Sequence, residues 1–472
     1  MFNQYIDNMK NEIISNLQKL IQIPSIYEKS DIQDFPFGKN VNNALNFTLN
    51  LGKEMGFKTK NIDKYCGYIE FGEGKELLGI IGHLDVVPAN DDWTFPPFSA
   101  TIFNNKIYGR GSIDDKGPVI ASLYAMKTIL DTCKIHKRVR LILGLNEENS
   151  WECINYYKKH EESPSIGFSP DADFPCIYAE KAILSSCISL DYSSYSKKDI
   201  YIEEINCNNN PLNVVPKFCS VTLKINSDKI SIDKIIKNIK NIIDKYNFEI
   251  DIYKQNFSSL KLTSNGVGSH SAHPELGVNA ISRLIIVLDE IFKTYNITIP
   301  LFDFFNTYIH TQYNGKNLKV NFSDESGNLT LNVGNFSFEN NELKIKINMR
   351  IPIYTKIQEI ENSFIDILSK FDSLEYHKIA SKSSLYVPKD SFLVKTLSNI
   401  FNEMNNSFIE PIAIGGATYA RAFDNCVSFG ANMPGNKDMC HQTDEFISID
   451  NLMFACKVYA RAIYEITNSC KW

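Results

Sequence analysis

Residues 77–88 read LLGIIGHLDVVP, and this stretch decides the fold class. The uninterrupted apolar run that leads to His83 predicts a strand buried on both faces, which is typical of a parallel sheet covered by helices. His83 ends that strand, at the sheet edge where open α/β folds place their ligands. Asp85 lies two residues further and shares its face, so Asp85 can accept a hydrogen bond from the ring of a metal-bound His83. Alone, His-x-Asp fits a solvated strand end equally well.

The flanking sequence predicts more strands and helices of the same sheet. Val139–Leu145 and Ile166–Ser169 are further apolar runs of strand length, and Pro118–Leu130 has helical spacing between them. After about residue 387 the alternation returns, with a helix over Phe392–Met404. Alternating strands and helices predict an α/β domain with a mostly parallel sheet and helices on both faces.

The middle of the chain has a different pattern. Cys219–Ile225 is followed by a helical segment, Ile232–Tyr246, and Leu343–Arg350 is followed by another, Lys356–Phe371. These two strand–helix units resemble copies of each other, which indicates an inserted α+β lid domain with an antiparallel sheet. We therefore predict a first part of a catalytic domain over 1–185, a lid domain over 186–383 and a second part of the catalytic domain over 384–472.

Composition limits the class of protein. The chain has 472 residues, 43% hydrophobic and 22% charged, and a net charge of −6, which argues against a nucleic-acid binder. Eleven cysteines without C-x-x-C pairs indicate reduced thiols. Charged residues interrupt the first 23 positions and every long apolar run, so we expect no secretory signal and no membrane span. These observations predict a cytoplasmic globular protein.

Four more segments carry residues suited to metal chemistry. Asp114 follows glycines just before a helix, where it can bridge two cations or simply cap the helix. Glu147 and Glu148 follow a buried strand, and Asp171 follows a short one. His441 lies in a late loop. Nitrogen and oxygen ligands without thiolates suit zinc, manganese or cobalt, and a bridging carboxylate predicts two metal ions.

Taken in order, the motifs HLDVVP, GRGSIDDKGP, NEEN, FSPDAD and CHQTDE resemble those of the co-catalytic zinc aminoacylase, carboxypeptidase G and dipeptidase family of metallopeptidases. The bacterial dipeptidase V branch is the most similar. This resemblance implies that His83 and Asp171 hold one metal, that Glu148 and His441 hold the other, and that Asp114 bridges them. It also implies a cis peptide bond after Asp114.

The resemblance assigns further roles. It implies that Asp85 orients His83 and that Glu147 acts as general base and then as general acid. In the lid it implies that His270 stabilises the oxyanion, with His273 as a competing candidate three residues away. The substrate-binding residues that it implies are Arg350 as a clamp for the substrate carboxylate, Asn213, and the glycines Gly415 and Gly416.

Three functions remain open from the sequence. The first is hydrolysis of dipeptides by an enzyme with two zinc ions, β-alanyl dipeptides included, with manganese or cobalt as alternatives to zinc. The second is an N-acyl amino acid deacylase or desuccinylase with the same metal centre. The third and weakest is a non-catalytic binding protein, since all seven core positions are filled. Small peptides are the expected partners, and relatives favour a monomer over a dimer.

Overall fold

The computed structural model describes residues 2–29, 35–208, 210–227 and 230–470. The helices of these residues are α1 (Phe2–Asn8), α2 (Lys10–Ile21), α3 (Lys39–Glu54), α4 (Lys116–Thr132), α5 (Glu152–His160), α6 (Ile232–Tyr246), α7 (Ala280–Thr294), α8 (Pro300–Tyr308), α9 (Ile357–Leu368), α10 (Phe392–Asn405) and α11 (Ile449–Thr467). The strands are β1 (Lys58–Ile62), β2 (Cys66–Phe71), β3 (Leu77–His83), β4 (Thr101–Phe103), β5 (Lys106–Tyr108), β6 (Arg138–Gly144), β7 (Ile166–Ser169), β8 (Ile177–Glu180), β9 (Ala182–Asp191), β10 (Ile200–Asn206), β11 (Phe218–Ile225), β12 (Ile250–Asn256), β13 (Ser259–Asn265), β14 (Ser323–Asp324), β15 (Gly327–Asn328), β16 (Thr330–Glu339), β17 (Glu342–Ile351), β18 (Leu374–Lys382), β19 (Leu385–Tyr386), β20 (Ile412–Ile414), β21 (Cys426–Ser428) and β22 (Phe446–Ser448).

The chain divides into two compact units. Unit 1 comprises Met1–Glu180, Leu385–Ala413 and Ala417–Trp472, and unit 2 comprises Lys181–Ser384 and Ile414–Gly416. Unit 1 contains all of the residues expected to bind metal, and unit 2 contains His270 and the residues expected to bind substrate. Whether 1–185, 186–383 and 384–472 are functional domains stays a prediction.

The main sheet of unit 1 is mixed, with the strand order β1-β2-β6-β3-β7-β21-β8-β19. Its four central strands, β6, β3, β7 and β21, are parallel to one another, whereas β2 pairs antiparallel with β6 and β8 pairs antiparallel with β21. All seven residues of β3 are buried. The predicted α/β class is therefore confirmed, and the parallel arrangement belongs to the centre of the sheet.

Helices cover both faces of this sheet, as neighbouring residues of β2 illustrate. On one face, Gly52 of α3 lies so close to Ile69 that an added Cβ would approach the Ile69 side chain to 2.7 Å. On the other face, Glu70 accepts from Nε of Arg140, and Nη1 of Arg140 donates to the hydroxyl of Tyr157 in α5. Adjacent strand residues point to opposite faces, so α3 and α5 lie on opposite sides of the sheet.

A small three-stranded sheet in unit 1 joins distant parts of the chain. The hairpin of β4 and β5 turns at Asn104 and Asn105, which have positive φ values of 47° and 59°. The late strand β22 pairs antiparallel with β5, with Phe446 opposite Tyr108. This pairing brings the loop before β22 next to the glycine-rich segment after β5.

Unit 2 contains two four-stranded antiparallel sheets with similar connections. Their strand orders are β10-β11-β13-β12 and β16-β17-β9-β18. In each sheet an antiparallel pair leads into a helix, α6 or α9, and the chain then returns as an edge strand, β12 or β18. The remaining strand of the first sheet, β13, comes after these elements in the chain, whereas that of the second sheet, β9, comes before them. The α+β architecture with antiparallel sheets is thus confirmed.

The helices of unit 2 bury one apolar side against these sheets. Ile235 and Ile239 of α6 are fully or almost fully buried, as are Ile360 and Phe364 of α9. The isoleucines are four residues apart, and the spacing of the second pair is the same, so each pair forms one stripe of its helix. Within the part of the chain that the structure describes, no helix is both long and apolar enough to cross a membrane.

Phe168 gives a direct test of the core of unit 1. Its ring is fully buried in β7 and lies 5.8 Å from the ring of Phe429 and 5.6 Å from that of Tyr459. We expect Phe168→Ala to lower the free energy of unfolding by about 3–5 kcal/mol, because the lost ring leaves a cavity. Phe408 is 86% exposed, so Phe408→Ala should change it by less than about 0.5 kcal/mol. Urea titrations measure both, and equal shifts would contradict the assigned core.

Candidate metal centre

Three of the candidate ligands come from the carboxyl ends of adjacent strands. His83 is the last residue of β3, Glu148 follows β6, and Asp171 follows β7. β3 lies between β6 and β7 and is parallel to both. Because parallel strands end at the same sheet edge, the sequence that follows each strand delivers its polar side chain to one place.

The other two candidate ligands come from loops. Asp114 precedes α4, and its peptide bond to Asp115 is cis, as the family resemblance implied. His441 lies in the loop before β22 and has a positive φ of 63°. Pairing of β22 with β5 holds these two loops side by side, and the backbone N–H of Gly109 donates to the carbonyl of Glu445 (2.9 Å).

Asp114 lies between two groups of side chains and turns one oxygen toward each. Its Oδ1 is 3.0 Å from Nε2 of His83, which is also 3.5 Å from Oδ2 of Asp171. Its Oδ2 is 3.0 Å from Nε2 of His441, which is 3.0 Å from Oε1 of Glu148. In each group the possible ligand atoms lie within 4.8 Å of one another. The Asp114 carboxylate is thus shared by two groups of side chains, each of which could hold a metal ion.

The electrostatics of this cluster favour bound cations. Burial by itself lowers the pKa of His83, but hydrogen bonds to Asp114, Asp171 and Asp85 outweigh it and raise the pKa well above its usual value. Likewise burial opposes protonation of His441, whereas Asp114 and Glu148 raise its pKa to about 11. Both imidazoles therefore carry a positive charge that balances the charge of the carboxylates beside them. Divalent ions bound there would balance the same negative charge.

The pKa values of the three carboxylates shift in opposite directions. Burial acts to raise the pKa of Asp114, but hydrogen bonds from His441 and His83 lower it overall. Burial and the charge of Asp114 raise the pKa of Glu148 to about 7, and the same two causes raise that of Asp171. Asp114 is therefore the permanent anion between the two groups. A set of two imidazoles and three carboxylates fits divalent ions that prefer nitrogen and oxygen ligands.

Asp85 supports both sides of the cluster. Nδ1 of His83 lies 2.9 Å from the backbone oxygen of Asp85 and 3.5 Å from its carboxylate. The two carboxylate oxygens each accept a backbone N–H, one from Glu147 and one from Glu148, both at 3.1 Å. Asp85 thus fixes the His83 ring mainly through its backbone, and its carboxylate holds the turn that carries the adjacent glutamates.

Glu147 lies beside the cluster on that same turn. Its backbone is tied to Asp85, and its side chain is partly buried. Burial raises the pKa of the nearby Tyr419, and the charges of Cys153, Asp85 and Glu147 add to this effect. Glu147 belongs to neither of the two groups of possible ligands.

The other predicted residues lie in unit 2, and several of them are in contact with one another. His270 is exposed and pairs through its backbone with Val214, next to Asn213. Arg350 is buried, and its Nη1 donates to the backbone oxygen of Gly415 (2.7 Å). Gly416 follows in the same loop. His273, the competing histidine, is exposed and lies 3.3 Å from Glu275.

A buried ion pair, for which the sequence predicts no role, lies next to the cluster. Glu445 is fully buried, and its Oε1 accepts the backbone N–H of Ile113 (3.0 Å) and Asp114 (3.3 Å). Its Oε2 accepts from Nη1 of Arg110 (2.8 Å), and Nη2 of Arg110 donates to the carbonyl of His441 (3.4 Å). The pair joins the segments that carry two candidate ligands. The two charged residues stand inside motifs noted from the sequence, but only the folded chain shows that they meet.

Comparison with known proteins identifies the class. Residues 79–465 match the sequence model of peptidase family M20/M25/M40, so the chain belongs to this family of metallopeptidases. The family expected from the motifs is confirmed.

Particular relatives are similar over their whole length. A putative dipeptidase from Bacillus subtilis, YtjP, is 35% identical over 466 residues, which cover 97% of both chains. A putative dipeptidase from Staphylococcus epidermidis is 33% identical over 476 residues, 99% of both chains. Among solved structures, human carnosine dipeptidase 1 has a TM-score of 0.60 at 14% identity, covering 99% of this chain and 98% of that one. This last similarity establishes the fold only.

The raised pKa of His441 predicts how the stability of the metal-free protein depends on pH. Because folding raises the pKa of His441 from 6.5 to about 11, the folded state binds the proton more tightly. The resulting stabilisation is complete below the unfolded pKa and is lost as the pH rises toward 11. We expect the unfolding free energy of chelator-treated protein to fall from about pH 7 to about pH 10.

Urea titrations at several pH values measure this decrease. His441→Gln should reduce the slope, and the same change at exposed His160 serves as the control. Added zinc should remove the decrease, because metal binding is favoured as the imidazole loses its proton. A flat profile for the metal-free protein would contradict the assigned arrangement.

Proposed function

We propose that the chain is a dipeptidase that uses two divalent metal ions, zinc in the first place. The observation that carries this proposal is the Asp114 carboxylate, which turns one oxygen to the group of His83 and Asp171 and the other to the group of Glu148 and His441. A single-metal site would not need two groups of ligands that share one carboxylate. When bound, the metals would act as Lewis acids on the substrate carbonyl and make a water molecule more acidic.

Glu147 is the residue that moves the proton in this proposal. Its carboxylate accepts a proton from the attacking water and later donates it to the nitrogen of the leaving amine. Two observations support this role. Asp85 holds the backbone of Glu147 beside the cluster, and Glu147 belongs to neither group of possible ligands.

Unit 2 supplies substrate recognition in this proposal and so acts as the lid. Arg350 pairs with the carboxylate of a substrate that has a free C-terminus, because a guanidinium can donate two parallel hydrogen bonds to a carboxylate. His270 stabilises the oxyanion, and Asn213 and the loop of Gly415 and Gly416 contact the substrate backbone. The support is that His270 pairs with Val214, next to Asn213, and that Nη1 of Arg350 donates to the carbonyl of Gly415.

The names of the relatives favour dipeptides over other small amides. Both bacterial relatives cited above are described as putative dipeptidases, and their similarity extends over nearly the whole chain. We propose that the enzyme is a cytoplasmic monomer. All eleven cysteines are free thiols, which supports a reducing compartment. Light scattering from purified protein would distinguish a monomer from a dimer.

Replacement of Glu147 tests the assigned base. We expect Glu147→Gln to lower kcat by about 10²–10⁴-fold, because the amide cannot accept the proton of the attacking water. Metal content, measured by elemental analysis, should stay unchanged, since Glu147 belongs to neither group of ligands. Exposed Glu152, at the start of α5, provides the control: Glu152→Gln should keep full activity. A Glu147→Gln variant that still turns over normally would exclude the residue as base.

A substrate panel separates the proposal from the deacylase alternative. We expect hydrolysis of dipeptides with free amino and carboxyl ends, and little hydrolysis of N-acetyl or N-succinyl amino acids. Chelator should abolish the activity, and zinc or manganese should restore it. The panel should include a β-alanyl dipeptide to define the range of substrates. Faster release of acetate or succinate would favour the deacylase, and activity that survives complete removal of metal would rule out both.

A further inference from the structure

The polar face of β17 becomes buried near the end of the strand. Lys344 and Lys346 are partly exposed, whereas Asn348 and Arg350, which continue the same face, are only 3% and 4% exposed. Alternate residues of a strand share a face, so Asn348 and Arg350 point in the same direction. A buried amide and a buried guanidinium require hydrogen-bond partners, and the residue that meets both is Ser271.

The Ser271 hydroxyl uses its whole hydrogen-bonding capacity on these two side chains. It donates to Oδ1 of Asn348 (2.9 Å) and accepts from Nη2 (3.0 Å) and Nε (3.3 Å) of Arg350. A hydroxyl has one proton to donate and two lone pairs. Nδ2 of Asn348 in turn donates to Oγ of Ser185 (3.0 Å), its neighbour on β9. This bond turns Oδ1 toward Ser271, so the hydroxyl proton points to Asn348 and the lone pairs face Arg350.

The backbone of Ser271 is fixed as well. Its N–H donates to the carbonyl of Asn213 (2.8 Å), and its carbonyl accepts from Oγ1 of Thr330 (2.9 Å). Thr330 is the neighbour of Arg350 across the β16–β17 pair. Ser271 itself is fully buried and follows His270 directly. One small residue therefore connects three of the positions proposed to bind substrate: His270, Asn213 and Arg350.

These contacts decide which end of the guanidinium is presented to a ligand. The edge formed by Nε and Nη2 lies against the Ser271 hydroxyl, and Nη1 bonds to the carbonyl of Gly415. A carboxylate that pairs with two nitrogens must then use the end formed by Nη1 and Nη2. Without the hydroxyl, Nε and Nη2 would lose the hydrogen bonds to Ser271, and the long side chain would gain rotamer freedom.

We propose that Ser271, oriented by Asn348, is a positioning residue that aims Arg350 and so sets the preference for substrates with a free C-terminal carboxylate. This inference rests on the proposed role of Arg350 as the carboxylate clamp. It adds a specificity device that consists of neutral side chains buried behind the charged one.

The test compares a dipeptide with its C-terminal amide on the full-length, zinc-loaded protein. The ratio of the two kcat/KM values measures the preference for the carboxylate. We expect Ser271→Ala to reduce this ratio roughly tenfold to a hundredfold, the effect of losing one hydrogen bond to a charged group. The loss should appear mainly as a higher KM for the dipeptide, and hydrolysis of the amide should fall far less.

Two further variants keep the result interpretable. Asn348→Ala removes the group that orients the hydroxyl and leaves the His270 segment intact, so it should reduce the ratio in the same direction. Ser264→Ala is the matched control, since Ser264 is a buried serine of β13 whose hydroxyl has no hydrogen-bond partner among the described residues. Its ratio should equal that of the unaltered enzyme. Thermal unfolding confirms that each variant is folded.

The outcomes separate failure of the inference from failure of the proposed function. If Ser271→Ala and Asn348→Ala lower activity equally on the dipeptide and its amide, Ser271 has only a structural role and the inference is wrong. If the unaltered enzyme hydrolyses dipeptides without preferring the carboxylate, the clamp and the inference fail, but the dipeptidase function stands. If it hydrolyses no dipeptide at all, the proposed function itself is wrong.

Discussion

The structure depends on one buried carboxylate that interacts with two imidazoles at once. Asp114 lies 3.0 Å from Nε2 of His83 on one side and 3.0 Å from Nε2 of His441 on the other, with a second carboxylate beside each ring. Three carboxylates this close to one another repel, and burial makes their charges more costly. Protons on the imidazoles compensate in the metal-free chain, and divalent ions do so more completely. The fold must therefore hold the ligands in place against their mutual repulsion.

Unit 1 meets this requirement with backbone hydrogen bonds more than with packing alone. The Asp85 carboxylate accepts the N–H groups of Glu147 and Glu148, and the Glu445 carboxylate accepts those of Ile113 and Asp114. In both cases a buried acid holds the main chain of a candidate ligand or of the residue beside it, and it does so without using the side chain of the candidate ligand. Arg110 compensates the charge of Glu445 and extends the same support to the backbone of His441. Such supporting groups orient the ligands of metal sites generally.

Unit 2 uses the same principle with neutral groups. Ser185, Asn348 and Ser271 form a chain of hydrogen bonds that ends on the guanidinium of Arg350. The amide of Asn348 donates to Ser185 and accepts from Ser271, so the Ser271 hydroxyl turns its lone pairs to the guanidinium. A buried charge can be aimed in this way without a carboxylate that would compete with the substrate for it. The two units thus hold their functional side chains by different chemistry and for the same reason.

The sequence by itself determined several of the elements and the identity of the candidate ligands. Apolar runs such as Leu77–Gly82 form strands wherever they are buried, and the helical spacing of Ile232–Tyr246 fixes that helix to the residue. The polar residue after each strand could be placed at one sheet edge because parallel strands end together. The motif resemblance assigned roles to Asp114 and His441, which no local pattern connects.

Only the tertiary structure decided how these residues work together. The sheet is parallel only at its centre because β2 and β8 pair antiparallel on its two sides. The parallel part includes β21, which returns from residues 426–428 to lie beside β7, a pairing that no local pattern encodes. The support of Asp114 by Glu445 and of Arg350 by Ser271 joins residues 331 and 79 positions apart. Hydrogen-bond direction and burial are properties of atoms in space, so polar residues that look alike in the sequence acquire separate roles only when the chain has folded around them.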